Sequence, residues 1–516
     1  MRFKQVQDGY VISVSRKKDR VGSWVANMEG AKYLSTSMSW FIPNTAANRK
    51  VLQEKKLLEI PNSKSVLPVL TQNYLQYIPK EAFPYQIDGV QRIYGYRGSG
   101  LVAFDVGLGK TLTSVSCVLT CLPAFNLPTR VLYVVPAAIK RQWYKELQHW
   151  GNFTDIQIIY GQQPTEITSD HVIVNYEILQ YHIDAIKSHD FSMLIVDECQ
   201  KLANPKAIRT KTVKKLSRWI QCVVMLSGTP ITRRPVQFYP VLNMLRPDLF
   251  PNEWKYKMRY CGAHIGKNGW DFDGASNIDE LHEILISAVM VRKTKTDADV
   301  VGSLPKKRVL PVPLEMNKED MDIYLAEQEN IQQVERKKLK DSFHFLQYLA
   351  FEAKKKEMFE WLDLLLDSGE KVLIICRHRK VVKTVKEYYG DNCVTYYGGD
   401  TDIQKDTNKK KFLQDAQVMI GNDVALTGMD SVQTVCNIAV FIEIPWVPTT
   451  FDQAMGRIWR TGQKRTSNVF VLYAENSIEE NIMKILDKSR DIVNTVIDGK
   501  KAEDIDMLTE LIKLYR

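Results

Sequence analysis

LVAFDVGLGKTLTSV, residues 101–115, is the stretch that decides which fold to expect. Its apolar start indicates a buried β-strand, and its second half indicates the helix that follows. Between strand and helix, Gly107 and Gly109 let the backbone approach an anion closely, so that N–H groups and the helix N-terminus face phosphate oxygens. The stretch therefore predicts a phosphate-binding loop of the kind found in nucleoside triphosphatases.

The side chains of this loop and of one upstream residue have the chemistry needed to bind ATP. Lys110 would reach the β- and γ-phosphates, and the Thr111 hydroxyl would bind Mg²⁺. Gln86 follows an aromatic residue and a proline, and its amide could both donate to and accept from the adenine edge. The common G-x-x-x-x-G-K-[ST] pattern has glycine where this chain has Phe104. The loop alone therefore also fits an ordinary strand–turn–helix junction.

A second apolar strand, MLIVDECQ at residues 193–200, ends in two adjacent carboxylates. Asp197 would bind Mg²⁺, directly or through water, and Glu198 would orient or deprotonate the attacking water. An acidic strand end is also common in purely structural roles. Because this pair lies downstream of a phosphate loop, it indicates an ATPase.

Apolar segments alternate with helical ones from residue 101 to about 250, and they are LVAF, VLYVVP, HVIVNY, MLIVDE and CVVMLSGT. This order predicts βαβ units that form a parallel sheet, with ligands at the carboxyl ends of its strands. Ser227 and Thr229 follow the last strand, where their hydroxyls would couple the nucleotide to a nucleic-acid track. Lys140 and Arg141 begin a helix after the second strand, and they suit either phosphodiester contacts or an ordinary loop.

The segments that flank this sheet carry no catalytic pattern. Before residue 80, VISVSRKK and SMSWFIPNT indicate strands and TAANRKVLQEKKLLEI indicates a helix, so we expect a small α+β module. Its basic residues form either a solvated face or a DNA contact. Beyond residue 250 we expect IDELHEILISAVMVRKTKTDADV to be helical and PKKR to be a basic linker that faces DNA. A helical insertion is expected after that linker.

A second parallel sheet is expected from KVLIICRH, VTYYGG, AQVMIGN, NIAVFIE and SNVFVLYA. It has no phosphate loop, but FDQAMGRIWRTGQ at residues 451–463 places Gln453, Arg457 and Arg460 at spacings of four and three. That spacing predicts one shared helix face. Paired arginines on a helix usually form surface ion pairs. Beside an ATPase lobe they would instead reach across a cleft to the charge of the transition state.

Composition fits a multidomain globular protein of 516 residues, of which 45% are hydrophobic and 25% charged. No apolar run approaches the ~20 residues that a membrane span needs, and the polar N-terminus does not resemble a signal peptide. The eight cysteines include no CxxC pair, so we expect reduced thiols in a cytoplasmic or nuclear protein. The net charge of +10 favours a polyanionic partner.

Together these motifs resemble those of the superfamily 2 helicases, and specifically the SWI/SNF-type DNA-translocating ATPases. The loop DVGLGKT, the acidic box DECQ, the segment LSGTP and the final motif QAMGRIWRTGQ carry the resemblance, which covers residues from about 80 to 475. SGTPITRRPVQFYPVLNMLRPDLF, RYC and GASNIDELH, with WFIPNTAANRKVL near the N-terminus, are similar to the compact annealing-helicase (HARP-like) branch. Two departures are Cys199-Gln200 in the acidic box and DVALTGMDSVQ before the final motif.

The resemblance implies an α/β fold with two RecA-like parallel-sheet lobes, helical insertions and a small N-terminal α+β module. The expected domains are the accessory module at 1–80, lobe 1 at 81–304, a linker and helical insertion at 305–360, lobe 2 at 361–475 and C-terminal helices at 476–516. The expected ATP-binding residues are Gln86, Gly107, Leu108, Gly109, Lys110 and Thr111, and the expected catalytic residues are Lys110, Asp197, Glu198, Arg457 and Arg460. Ser227, Thr229 and Gln453 would couple hydrolysis to movement, and Thr111 and Asp197 would bind Mg²⁺.

The function that the resemblance implies is translocation on double-stranded DNA, forked or branched DNA included, with ATP and Mg²⁺ as cofactors. A monomer would then remodel or anneal DNA or displace bound proteins. Two alternatives remain open. One is a strand-separating DNA or RNA helicase, whose ATPase single strands would stimulate more than duplex. The other is an ATP-switched DNA-binding scaffold without turnover, and intact Glu198 and both arginines count against it.

Overall fold

The computed structural model describes residues 2–6, 9–13, 31–34, 39–43, 70–228, 230, 234–266, 269–335, 338–422, 429, 431–486 and 507–515. Two compact units divide the chain between them. The smaller unit takes residues 1–67 and 252–288, and the larger takes residues 68–251 and 289–516.

The smaller unit contains an antiparallel sheet near the N-terminus. Its strands are β1 (Arg2–Val6), β2 (Gly9–Ser13), β3 (Lys32–Leu34) and β4 (Ser39–Pro43), in the order β1-β2-β4-β3. The two strands predicted from VISVSRKK and SMSWFIPNT are confirmed as β2 and β4, whereas the helix predicted from residue 45 lies outside the described residues. The unit also contains helices Glu253–Tyr260 and Ile278–Ala288, and the ribbon of β11 (His264–Gly266) with β12 (Gly269–Asp271).

The larger unit begins with a seven-stranded parallel sheet, which with its helices we call the first lobe. Its strands are β5 (Gly100–Phe104), β6 (Val131–Val135), β7 (Ile156–Ile158), β8 (His171–Asn175), β9 (Met193–Val196), β10 (Cys222–Leu226) and β13 (Met290–Lys293), in the order β13-β5-β10-β9-β6-β8-β7. Its helices are Gln72–Leu75, Pro84–Gly95, Lys110–Ala124, Lys140–Gly151, Ile183–Ser188, Ile208–Trp219 and Tyr239–Leu245. Every residue of β5, β6, β8, β9 and β10 is buried, as expected for a parallel sheet that is covered on both faces.

A six-stranded parallel sheet forms the core of the second lobe. Its strands are β14 (Lys307–Leu314), β15 (Val372–Cys376), β16 (Cys393–Tyr396), β17 (Val418–Asn422), β18 (Ile438–Phe441) and β19 (Ser467–Ala474), in the order β14-β19-β18-β15-β17-β16. The helices after the first lobe's sheet are Ala298–Val301, Lys318–Asn330, Leu339–Leu366, Arg379–Tyr389, Asp402–Gln414, Pro448–Met455 and Met507–Tyr515, and residues 478–486 are also helical. The fold class inferred from the sequence, two parallel-sheet lobes with helices, is confirmed.

The sequence prediction is wrong in two places, at the last strand of the first lobe and at the first strand of the second. The predicted helix from residue 278 ends at Ala288, and Met290–Lys293 is instead an edge strand paired with β5. Lys307 and Arg308, expected in a basic linker, begin β14 and pair with Ser467 and Asn468. In both places pairing with a strand distant in sequence overrides the local helical or linker pattern.

All eight cysteines are free and buried. Within the part of the chain that the structure describes, no group of three or more His, Cys, Asp or Glu side chains is placed to bind a metal ion. Among the same residues, no helix is both long and apolar enough to cross a membrane.

A buried ion pair ties the long helix Leu339–Leu366 to the C-terminal part of the second lobe. The Lys354 Nζ lies 2.5 Å from Glu479 Oε2, and both side chains are 0% exposed. Lys354 also donates to the carbonyl of Leu472, and the Glu479 carboxylate accepts from the N–H of Ala474. Burial raises the pKa of Glu479, and the neighbouring Lys354 opposes that rise.

We expect Lys354→Met to lower the free energy of unfolding by about 3–5 kcal/mol, because it leaves a carboxylate buried without its partner. Chemical denaturation measures this loss. The double variant Lys354→Met/Glu479→Leu should recover most of it, because both charges are then gone. A single variant as stable as the native protein would contradict the prediction.

Candidate active site

The phosphate loop follows β5 and leads into the helix Lys110–Ala124. Gly107 and Gly109 have φ angles of 88° and 75°, in the left-handed region that favours glycine. Space also requires glycine here. A Cβ on Gly109 would lie 2.2 Å from Gln86 Nε2, and a Cβ on Gly107 would lie 2.7 Å from Arg460 Cβ.

Lys110 lies at the start of this helix and turns back over the loop. Its Nζ donates to the carbonyls of Phe104 at 3.0 Å and Asp105 at 3.4 Å. Burial lowers the pKa of Lys110, and the carboxylates of Glu198, Asp197 and Asp105 oppose that effect. The lysine predicted to bind phosphate thus lies in the electrostatic field of the predicted acidic pair.

Gln86 braces the phosphate loop. Its amide oxygen accepts from the N–H of Phe83 at 2.8 Å, and its amide nitrogen donates to the carbonyl of Leu108 at 3.0 Å. The Tyr85 hydroxyl donates to the same carbonyl at 3.3 Å. Because Gln86 is 3% exposed and both ends of its amide are bonded, its role toward adenine stays a prediction.

Asp197 and Glu198 lie at the carboxyl end of β9. Asp197 Oδ2 accepts from Trp143 Nε1 at 2.9 Å, and its Oδ1 accepts from the N–H of Glu198 at 2.8 Å. Burial, with a contribution from Glu198, raises the pKa of Asp197 to about 6. A divalent cation would relieve that cost, and carboxylates with a hydroxyl such as that of Thr111 are ligands that Mg²⁺ takes beside phosphates.

Gln200 connects the acidic pair to the next strand end. Its Nε2 donates to Glu198 Oε2, and its Oε1 accepts from the Ser227 hydroxyl at 2.8 Å. Sequence reasoning noted Gln200 only as a departure from the family pattern, and it did not single out Trp143 at all. Thr229, predicted beside Ser227 in the same coupling role, lies outside the described residues.

The final motif of the second lobe contacts the phosphate loop. Thr461 donates to the carbonyl of Gly107 through its N–H at 3.4 Å and through its hydroxyl at 3.3 Å. Arg460 packs against the same glycine. Arg457 is buried, donates to the carbonyl of Met429 at 2.7 Å, and contributes to lowering the pKa of Lys110. Both arginines therefore lie near the loop.

The arrangement of the final motif differs from the predicted helix face. The helix Pro448–Met455 ends before both arginines, so Gln453 is helical while Arg457 and Arg460 lie in the turns that follow. A Cβ on Gly456 would lie 2.6 Å from Val106 Cγ1. The helix thus ends at the residue before Gly456, which packs closely against Val106 of the first lobe. The Gln453 carbonyl accepts from Arg457 Nε at 3.2 Å.

A groove with several lysines and an arginine in its lining lies between the two lobes, and we call it the basic groove. Its lining residues are Ala137, Ala138, Lys140, Arg141, Gln142, Lys145, Tyr160, Tyr396, Lys405, Asp406 and Lys409. Arg141 and Lys145 of the first lobe lie 3.8 and 3.9 Å from the Asp406 carboxylate of the second. Lys140, expected with Arg141 either to contact phosphodiesters or to belong to an ordinary loop, is 7% exposed and donates to Ile159 O and Asn175 Oδ1.

Comparison with known families matches both lobes. A model of the SNF2-related domain matches residues 85–364, and a model of the helicase conserved C-terminal domain matches residues 354–462.

Among curated proteins, the SWI/SNF-related matrix-associated actin-dependent regulator of chromatin subfamily A-like protein 1 of Xenopus laevis is 27% identical over 418 residues, which cover 78% of this chain and 43% of that protein. The human DNA annealing helicase and endonuclease ZRANB3 is 25% identical over 460 residues, covering 84% and 42%. The chain thus spans less than half the length of these relatives. Among solved structures, the Sulfolobus solfataricus SWI2/SNF2 ATPase core in complex with dsDNA aligns with a TM-score of 0.42 at 22% identity, covering 83% of this chain and 95% of that one.

Proposed function

Because the chain belongs to the SNF2-related domain family, whose model matches more than half of its residues, we propose that it is an ATP-driven motor on double-stranded DNA. The family consists of helicase-like, DNA-dependent ATPases. The observation that carries the proposal is the meeting of the final motif with the phosphate loop at Gly107. Two lobes that share a nucleotide site can convert hydrolysis into relative movement.

ATP is proposed to bind at the phosphate loop, with its phosphates against the backbone of residues 107–109. Lys110 exchanges its present carbonyl partners for the β- and γ-phosphates. Thr111 and Asp197 would hold Mg²⁺, which when bound would neutralise charge that develops on the phosphates. Glu198 orients the attacking water and accepts its proton, with Gln200 fixing the carboxylate.

The arginines of the final motif are proposed to act from the second lobe. Arg460 lies at the loop, where a guanidinium can stabilise the charge on the transferred phosphoryl group. Arg457, in the field of Lys110, senses whether the γ-phosphate is present. Gln200 then links Glu198 to Ser227, which couples the state of the nucleotide to the position of the strand end after β10.

The basic groove between the lobes is the proposed DNA track. Arg141, Lys145, Lys405 and Lys409 suit phosphate contacts, which carry no sequence information. Binding should therefore tolerate any sequence and weaken steeply with salt. For each phosphate contact, the logarithm of the binding constant should fall by about 0.9 for every tenfold rise in salt concentration. The human relative's description as an annealing helicase supports rewinding as the proposed outcome of this movement.

We expect duplex DNA to stimulate the ATPase more than single-stranded DNA or RNA, because the proposed track binds the phosphates of a duplex. ATP should also drive displacement of a third strand from a triplex. The measurement is the rate of phosphate release with duplex, forked, single-stranded and RNA substrates, together with triplex displacement. Lys211→Ala, an exposed change on the helix Ile208–Trp219, is the control variant.

Two results would overturn this proposal in different ways. Efficient unwinding of a tailed duplex without triplex displacement would indicate a strand-separating helicase. ATP binding without phosphate release on any nucleic acid would indicate a switched scaffold. Deleting residues 1–67, which leaves the larger unit intact, should spare the ATPase and impair rewinding if the N-terminal module serves annealing.

A further inference from the structure

We propose that Lys295 is a positioning residue for ATP hydrolysis, which acts by fixing Trp459 and through it Arg460. The inference rests on the proposed function, and it adds a residue that none of the motifs contains. Lys295 lies in the connecting segment, residues 294–306, that joins the last strand of the first lobe to the first strand of the second.

The Trp459 side chain has three contacts here, two with the connecting segment and one with the first residue of β14. Lys295 Nζ lies 3.9 Å from the centroid of the indole, and Lys307 Nζ, just beyond the segment, lies 4.1 Å from it. The indole Nε1 donates to the carbonyl of Pro305 at 2.9 Å. A tryptophan ring with cations at its face and its one donor bonded has little freedom to reorient.

Lys295 also bonds the backbone at the position before Arg460. Its Nζ donates to the carbonyl of Trp459 at 3.0 Å, so one ammonium group contacts both the main chain and the ring of that residue. Arg460 and Thr461 follow directly and contact Gly107. The position of the Arg460 guanidinium therefore depends on a lysine that does not itself belong to the final motif.

The other end of Lys295 is fixed to the phosphate-loop strand. Its N–H donates to Asp105 Oδ2 at 3.0 Å, and Asp105 also pairs with Arg292 of β13 at 2.8 Å. Asp105 follows β5 and precedes the loop. The contacts thus close a ring from Asp105 through Lys295, Trp459 and Arg460 to Gly107.

This ring makes the placement of Arg460 conditional on how the two lobes sit against each other. Lys295 moves with the first lobe, because its neighbours in β13 pair with β5. Trp459 moves with the second lobe. If the cleft opens, the Lys295–Trp459 contact breaks and Arg460 loses its support at the same moment, so hydrolysis is restricted to the closed state.

The test compares steady-state ATP hydrolysis of native protein with that of Lys295→Met. We expect kcat to fall about 10- to 100-fold, the loss typical when a catalytic group is misplaced by about 1 Å. The KM for ATP should change by less than about threefold, because Lys295 supports a group that acts in the transition state. Lys295→Arg should retain most activity, and Lys306→Met, which removes an exposed lysine from the same segment, should match native protein.

A double variant separates positioning from a general structural role. If Lys295 acts through Arg460, Lys295→Met should cause no further loss in the Arg460→Ala background. Lys307→Met provides a second variant at an exposed position, with a smaller expected loss of kcat, should Lys295→Met fail to fold in thermal unfolding.

The measured kcat values distinguish failure of the positioning role from failure of the proposed function. Native-like kcat in Lys295→Met and Lys307→Met beside an impaired Arg460→Ala would overturn the positioning role and leave the proposed function standing. Losses that multiply in the double variant would also overturn it. If native protein released no phosphate with any nucleic acid, the proposed function would be ruled out, and the positioning role that rests on it would be ruled out as well.

Discussion

Lys110→Ala abolishes ATP hydrolysis while the protein stays folded, if the loop acts as proposed. The lysine supplies the cation that meets the β- and γ-phosphates, and removing one preorganised donor to developing charge costs on the order of 10²–10³ in rate. Its present hydrogen-bond partners are only the backbone carbonyls of Phe104 and Asp105, and Asp197 keeps its bonds from Trp143 and from the N–H of Glu198, so we expect the fold to survive the truncation. Phosphate release in the presence of duplex DNA measures the loss, and circular dichroism checks the fold.

Glu198→Gln separates chemistry from binding at the same site. The amide keeps the shape of the side chain but cannot accept a proton from water, so turnover should fall by about 10²–10⁴. ATP affinity should stay near that of native protein, whereas Lys110→Ala should lose it. Lys211→Ala is the matched control for both variants. A Glu198→Gln protein that turns over at the native rate would rule out the proposed role of this carboxylate.

Arg460→Ala should lower the maximal ATPase rate by about 10³–10⁵, the range known for arginines supplied across a cleft to a transferred phosphoryl group. The affinity for ATP should change by less than about threefold, because the guanidinium is needed mainly in the closed transition state. Single-turnover kinetics and nucleotide binding together measure this separation. Arg460 lies against Gly107, where the phosphates are expected.

Arg465→Ala is the matched control, because Arg465 lies five residues further along the same segment and pairs with Glu370 at an exposed position. Its loss should leave the ATPase unchanged and affect stability by less than about 1 kcal/mol. Weakened ground-state binding of ATP with a native maximal rate in Arg460→Ala would mean that this arginine binds substrate rather than stabilising the transition state.

The features that sequence predicted well are those encoded by neighbouring residues. The apolar runs around β5, β6, β8, β9 and β10 are local patterns, and their burial on both faces follows from continuous hydrophobicity. Gly107 and Gly109, and likewise the acids after β9, could be assigned because each set closely follows an apolar run in the sequence. A polar group that comes next to such a run is therefore predicted to lie at the end of a buried strand.

Short edge strands were harder to predict, since their partners are distant in the chain. Met290–Lys293 follows a helical pattern and becomes a strand because β5 offers an unpaired edge. Lys307–Leu314 begins with two charged residues and has prolines at 311 and 313, a composition typical of a linker. Its register with β19 supplies the hydrogen bonds that make it a strand.

The sequence by itself determined which residues of this protein are candidates to bind and hydrolyse a nucleotide, because the loop, the acidic pair and the arginine motif each carry their chemistry within a few adjacent positions. Only the tertiary structure decided how they are joined. Gln200 meets Ser227 across two strand ends, Arg460 reaches Gly107 from the other lobe, and Lys295 contacts Trp459 from the connecting segment. These contacts depend on how parallel strands pack side by side and on how closely the two lobes approach each other. No local pattern of hydrophobicity or charge encodes either of these arrangements.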